Sequence, residues 1–88
     1  MEPSVGRMVT AVGAAALSNG AVDAPAVITR VWSQREDGAW LVNATVFPDA
    51  TTLIRVVTSV YLFDDADAAV SACDNDATTA LHWPERVG

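Results

Sequence analysis

Two stretches hold the residues best suited to chemistry. LHWPERVG (81–88) sets the only histidine, His82, beside Trp83, Pro84, Glu85 and Arg86. DDADAAVSACDNDA (64–77) carries aspartates at 64, 65, 67, 74 and 76 and the only cysteine, Cys73. His82 has the chemistry of a general base, but base catalysis needs a nucleophile and an orienting group, and no spacing supplies them. Carboxylates around Cys73 disfavour its thiolate, which argues against a nucleophile. The aspartates could offer oxygens to calcium, yet the D-x-[DN]-x-[DN]-G order with a distal Glu is not met. A solvated acidic segment is the simpler account. Zinc lacks a ligand set. We therefore expect no enzyme, no metal and no cofactor.

Binding chemistry is better represented. Trp32, Trp40, Tyr61, Phe63 and Trp83 are many large rings for 88 residues. One or two tryptophans are expected to fill the core. A tryptophan left at the surface near arginine has the composition of a contact hot spot. Trp83 with Glu85 and Arg86 fits that description, and so does Trp83 as a plug at the end of the fold with the rest trailing in solvent. A second arrangement places Trp32, Arg55, His82 and Arg86 around a pocket. Stacking and phosphate contacts there would suit a small nucleotide.

The composition narrows the partners. The chain has a formal net charge of -6, a pI near 4.3 and no lysine. A basic stripe able to displace counterions is missing, so no nucleic acid and no anionic membrane surface are expected. A single cysteine rules out an intramolecular disulfide. No run reaches the roughly 20 apolar residues of a membrane helix. Residues 8–26 have small-residue content like a signal-peptide core, but the preceding stretch includes Glu2 and Pro3 and has no net positive charge. We expect a protein that is not secreted.

The elements that would position these groups read as strands of a single domain over 1–88, with loops at 13–23 and 64–77. APAVITRVWS (24–33) is β-branched and aromatic; strict alternation puts Val27, Thr29 and Val31 on one face and Ile28, Arg30 and Trp32 on the other. Asp37-Gly38 is a hairpin signal. In GAWLVNATVF (38–47) the core set is Trp40, Val42, Ala44 and Val46. TTLIRVVTSVYLF (51–63) reads as one long strand, or two across a bend near Thr58-Ser59, with Ile54, Val56, Val60 and Leu62 in one parity. Residues 7–12 and 79–83 supply a first and a last strand. In the last, Leu81 and Trp83 point inward and His82 outward, and Pro84 ends the pairing. Asp64 and Asp65 could cap a short helix near 65–72; a loop there is the other reading. Five to six short strands must hide their edges, so the expected fold is all-β, a small antiparallel β-barrel of SH3-like size.

VGRMV (5–9), APAVITRVW (24–32), VNATVFPDATT (42–52), TSV (58–60) and HWPERV (82–87) occur in an order that resembles a family of small proteins of tailed, actinobacterial-type bacteriophages and prophages. That family opens on a VGRxVHY-like strand and ends in a WHWPER-like signature. Here Thr10-Ala11 stand where it has His-Tyr, and Ala80-Leu81 where it has Gly-Thr-Trp. The resemblance implies a small β-barrel from a phage genome and carries no activity with it. The expected function is a non-enzymatic accessory acting by binding: a virion component, capsid-decorating or head–tail, docked on a phage structural protein or on itself as a homo-oligomer. The other class is a soluble anti-host protein in the host cytoplasm that binds a host protein or sequesters a nucleotide-like signal. The candidate contact residues are Trp32, Arg55, His82, Trp83, Glu85 and Arg86.

Overall fold

The computed structural model describes residues 2–13, 23–48, 54–75 and 79–84. Five strands and one helix follow in the order β1 (Met8–Gly13), β2 (Asp23–Gln34), β3 (Trp40–Val46), β4 (Arg55–Phe63), α1 (Ala66–Asn75) and β5 (Thr79–His82). The strands form a closed barrel in sequence order, so the all-β barrel expected from the sequence is present. β1 through β4 are an antiparallel meander. β5 then pairs antiparallel with β1, through Thr10↔His82 and Ala11↔Leu81. It pairs parallel with β4, through Leu62↔Leu81 and Phe63↔His82. The closing pair is therefore not antiparallel. A parallel neighbour requires a crossover, and α1 is that crossover.

The 64–77 stretch is thus not a loop throughout. α1 starts where Asp65 caps it: the Ala68 backbone N–H donates to Asp65 Oδ1 at 2.8 Å. The helix is short and would not persist alone; docking on β5, β1 and β4 supplies its stability. Its buried contact is a satellite cluster of Val12, Ala69 and Ala80, with Phe63, Ala72 and Cys73 against it. Of the proposed 13–23 loop, residues 14–22 lie outside the described residues.

The barrel interior is built from small and branched side chains. Ala11, Ala24, Ala26 and Ala44 share it with Val9, Ile28, Val42, Val46, Leu62 and Leu81. Small faces large across the strands: Ala26 pairs with Val46, and Ile28 with Ala44. A five-strand barrel is narrow, and this alternation fills it. No tryptophan is needed inside. Trp40 and Trp83 are half-buried and pack against the cluster from its margin.

Alternation along 38–47 holds: Val42, Ala44 and Val46 are fully buried. Alternation along 24–33 does not. Ala24, Ala26 and Ile28 are buried, and the next inward residue is Val31, not Arg30. The cause is a register shift between Ile28 and Arg30. One extra residue flips the parity of the strand beyond it. β4 behaves alike: Ile54 and Val56 are exposed, whereas Val57, Val60 and Leu62 pack inward.

The β2–β3 hairpin confirms the Asp37-Gly38 signal. The Arg35 N–H donates to Ala39 O (2.7 Å), and the Gly38 N–H to Arg35 O (3.0 Å). Asp37 Oδ1 accepts the Ala39 N–H at 3.1 Å. Gly38 sits at φ +96°, a position that favours glycine in three-residue hairpin loops.

Candidate functional site

From Ala26 to Gln34 β2 sets nine residues against the seven of β3, and the two extra residues are taken up as bulges. The ladder slips twice, once between Ile28 and Arg30 and once between Val31 and Ser33. The second slip leaves Trp32 without a ladder position, and bulges re-aim the side chain they release. Trp32 points outward and is 48% exposed. The ring is nevertheless held. Its Nε1–H donates to Asn43 Oδ1 at 2.9 Å. The Arg30 guanidinium lies 4.0 Å from the ring centroid, a cation–π contact.

Asn43 does a second job with the same oxygen. The β3–β4 ladder slips between Val42 and Ala44, where Thr58 and Ser59 face Asn43 alone. Ser59 is left-handed, at φ +54°, the single non-glycine residue with positive φ among those described. Its N–H donates to Asn43 Oδ1 at 2.9 Å. Both neighbours are donors, so the oxygen must face them; the amide orientation follows from the chemistry. One side chain thus ties a bulge on β2 to a bulge on β4. The bend expected near Thr58-Ser59 is this feature.

The same outer wall continues through Leu41 and Tyr61, paired with Ser33 across the ladder. The Arg35 guanidinium lies 4.6 Å from the Tyr61 centroid. Tyr61 and Phe63 are 6.4 Å apart at 56°. Arg35 also pairs with Asp37 at 2.8 Å, at an exposed position where such a pair adds little stability. Two arginine–aromatic stacks therefore sit on one wall at the hairpin end. The wall can offer flat apolar area, guanidinium groups for a carboxylate, and side-chain amides. It holds neither the histidine nor the thiol.

The other expected site residues go elsewhere. His82 does not face out. It is 7% exposed, on the side of β5 shared with Ala80, which α1 covers. Its Nδ1 lies 2.8 Å from Trp83 O; a carbonyl only accepts, so Nδ1 carries the proton. Trp83 does turn toward the core. Its N–H donates to Phe63 O (3.3 Å), extending the parallel pairing one residue past β5. The Arg7 guanidinium is 5.5 Å from its ring, and its Nε1 is buried with no acceptor among the described residues. Arg55 opens β4 opposite the buried Val46, two strands from Trp32 and at the far end of β3. Glu85 and Arg86 lie outside the described residues. Trp32, Arg55 and His82 are not brought together, so the nucleotide pocket imagined for them is not formed by these three.

Arg30, Asn43 and Tyr61 belong to the site and were not among the expected residues. The available signal was Ile28 and Val31, two apolar residues at odd spacing in one strand, which marks a break in parity. Among the described residues, no group of three or more His, Cys, Asp or Glu side chains is placed to hold a metal. No described helix is long and apolar enough to cross a membrane. Comparison with protein-family models, curated proteins and solved structures found no match.

Proposed function

We propose that this chain is a non-catalytic binding protein that docks on another protein through the Trp32–Arg30–Tyr61 wall of its barrel. The observation that carries this reading is the tethered exposure of Trp32. An indole half in solvent adds little to the stability of the fold. Yet two bulges, a left-handed serine and a shared acceptor hold it in one orientation. Local strain maintained by its surroundings concentrates where proteins act. A ring already fixed loses little rotamer freedom on contact, which is what makes Trp, Tyr and Arg effective anchors. Because the barrel is closed, a partner meets side chains here and not an open strand edge.

The order of segments shared with small phage barrels makes a virion accessory, capsid-decorating or head–tail, the natural setting. A weak contact repeated over a particle surface gains strongly from avidity. The test is mass spectrometry of purified particles carrying either the wild-type chain or Trp32→Ala. The wild type is expected in particles. Trp32→Ala should fold normally and fall at least roughly tenfold in abundance, the loss of one hot-spot side chain. Wild-type protein absent from washed particles would overturn the virion setting. Undiminished incorporation of Trp32→Ala would overturn the site.

A further inference from the structure

Arg30 stands directly opposite Asn43 in the β2–β3 ladder. Opposed residues share one face of the sheet, with Cβ atoms about 5 Å apart. Arg30 is exposed, and its guanidinium lies over the Trp32 ring. A ring face meets the charge of a guanidinium but leaves the N–H donors of its fork without an oxygen. Among the described residues Arg30 forms no ion pair, whereas Arg35, at the hairpin end of the same wall, is paired with Asp37. The chain has 11 carboxylate side chains for five arginines, so Arg30 is not unpaired for want of carboxylates. Asn43 adds to the surplus of donors. Its Oδ1 is taken twice, by Trp32 and by Ser59, which fixes the plane of the amide. Its Nδ2 donates to no described residue and is not buried. Donors therefore gather beside an apolar ring, and the nearest side-chain acceptor is already spent.

We infer that Arg30 and Asn43 receive a carboxylate, the side chain of an Asp or Glu on the protein that docks against Trp32. The inference rests on the docking reading above and names what the wall selects. A guanidinium fork matches the two oxygens of a carboxylate, and the Asn43 amide adds a further donor. Stacking on Trp32 holds the fork in place beforehand, so less freedom is lost on contact. Docking against the ring also sheds water from the same spot, and this is the source of selectivity. A partner with an apolar or basic group there would leave Arg30 desolvated and unmet. The net charge of -6 constrains the remainder of the partner. A broadly acidic surface would be repelled, so the carboxylate belongs to a surface that is otherwise apolar or basic. A phosphate polymer is disfavoured by the same charge, and it needs many cations in line; one guanidinium and one amide suit a single monoanion.

The chain has no lysine, so Arg30→Lys creates its only side-chain amine. A water-soluble carbodiimide activates carboxylates and joins them, as amides, to amines in direct contact. Purified Arg30→Lys protein, added in excess to particles and treated this way, should give a cross-link from position 30 to an Asp or Glu of another particle protein, read by mass spectrometry. Arg30→Gln removes the charge and should fall at least roughly tenfold in particle abundance. Arg30→Lys keeps the charge without the fork and should fall less. Both should melt near wild type, because Arg30 is exposed. Arg30→Gln incorporated as wild type while Trp32→Ala is lost would overturn the carboxylate and leave the Trp32 wall standing. The absence of a cross-link from position 30, or a cross-link confined to this chain, would also overturn it. Undiminished incorporation of Trp32→Ala, or wild type absent from washed particles, would overturn the docking reading and this inference with it.

Discussion

Replacing Asn43 with alanine removes one oxygen and two hydrogen bonds, those from Trp32 Nε1 and from the Ser59 amide. Each such bond contributes about 0.5–1.5 kcal/mol net, and exposure puts these two at the low end, about 1 kcal/mol together. The Ser59 amide bond also supports a left-handed backbone whose intrinsic penalty is about 1–2 kcal/mol for a residue with a Cβ. Without Asn43 that penalty is no longer offset. The expected loss is therefore about 1–2 kcal/mol, or roughly 5–15 °C in melting temperature for a domain this small. Urea denaturation of a double-mutant cycle checks the cause. Ser59→Gly relieves the backbone, because glycine enters the left-handed region freely. In that background Asn43→Ala should cost about half as much. Asn43→Asp keeps an acceptor for both donors and should melt close to wild type. The reasoning is refuted if Asn43→Ala lies within about 0.5 kcal/mol of wild type, or if the cycle shows no coupling between the two positions.

Trp83→Ala should destabilise by about 2–3 kcal/mol, less than the 3–5 kcal/mol of a fully buried ring, because Trp83 is only half-buried against the core; the denaturation midpoint reads this directly. Cys73→Ser should lower stability by about 1 kcal/mol through the cost of a hydroxyl in the α1 cluster, where the thiol faces Val12 O at 3.8 Å. Particle incorporation should be unchanged in that variant. Gly38→Ala should cost about 1 kcal/mol purely through its backbone, since a Cβ there meets no atom within 4 Å; a melting curve decides it.

The meander, the Asp37-Gly38 hairpin and the inward set of β3 were legible because each depends on local chemistry. A two-residue period and a glycine with positive φ carry their own signature. The bulges were not legible in the same way. Where a strand slips is decided by its pairing with a neighbour distant in sequence, and β2 sets nine residues against seven of β3. Ser59 gives no hint of its left-handed backbone, because a side chain sixteen residues away holds it. α1 has only a weak apolar stripe, so its helicity depends on the strands beneath it. Alternation points His82 outward, but that rule presumes one wet face. Thr79–His82 is buried on both sides, and a short run covered on both faces is the habit of a strand with a parallel neighbour. Trp83, by contrast, follows the alternation and packs against the core. The Trp32 wall was half visible: the ring could be nominated, but Arg30 and Asn43 needed the register.

Among the described residues β5 is the only strand that pairs with both β1 and β4, and its pairs with β1 join positions about seventy residues apart. That dependence is a kinetic one. β2, β3 and β4 can zip from the Asp37-Gly38 hairpin outward, each step closing a short loop. Docking β5 on β1 closes the whole meander, so the largest loop-closure entropy falls on the smallest strand. The folding barrier should carry that closure, with variants in Leu81 slowing folding and variants in the hairpin loop chiefly affecting events before it. Amide exchange in the native state should report the same hierarchy. Ala11 and Leu81 should be exchangeable through an opening that leaves Val42 and Ala44 protected, a partial unzipping of the seam ahead of global unfolding.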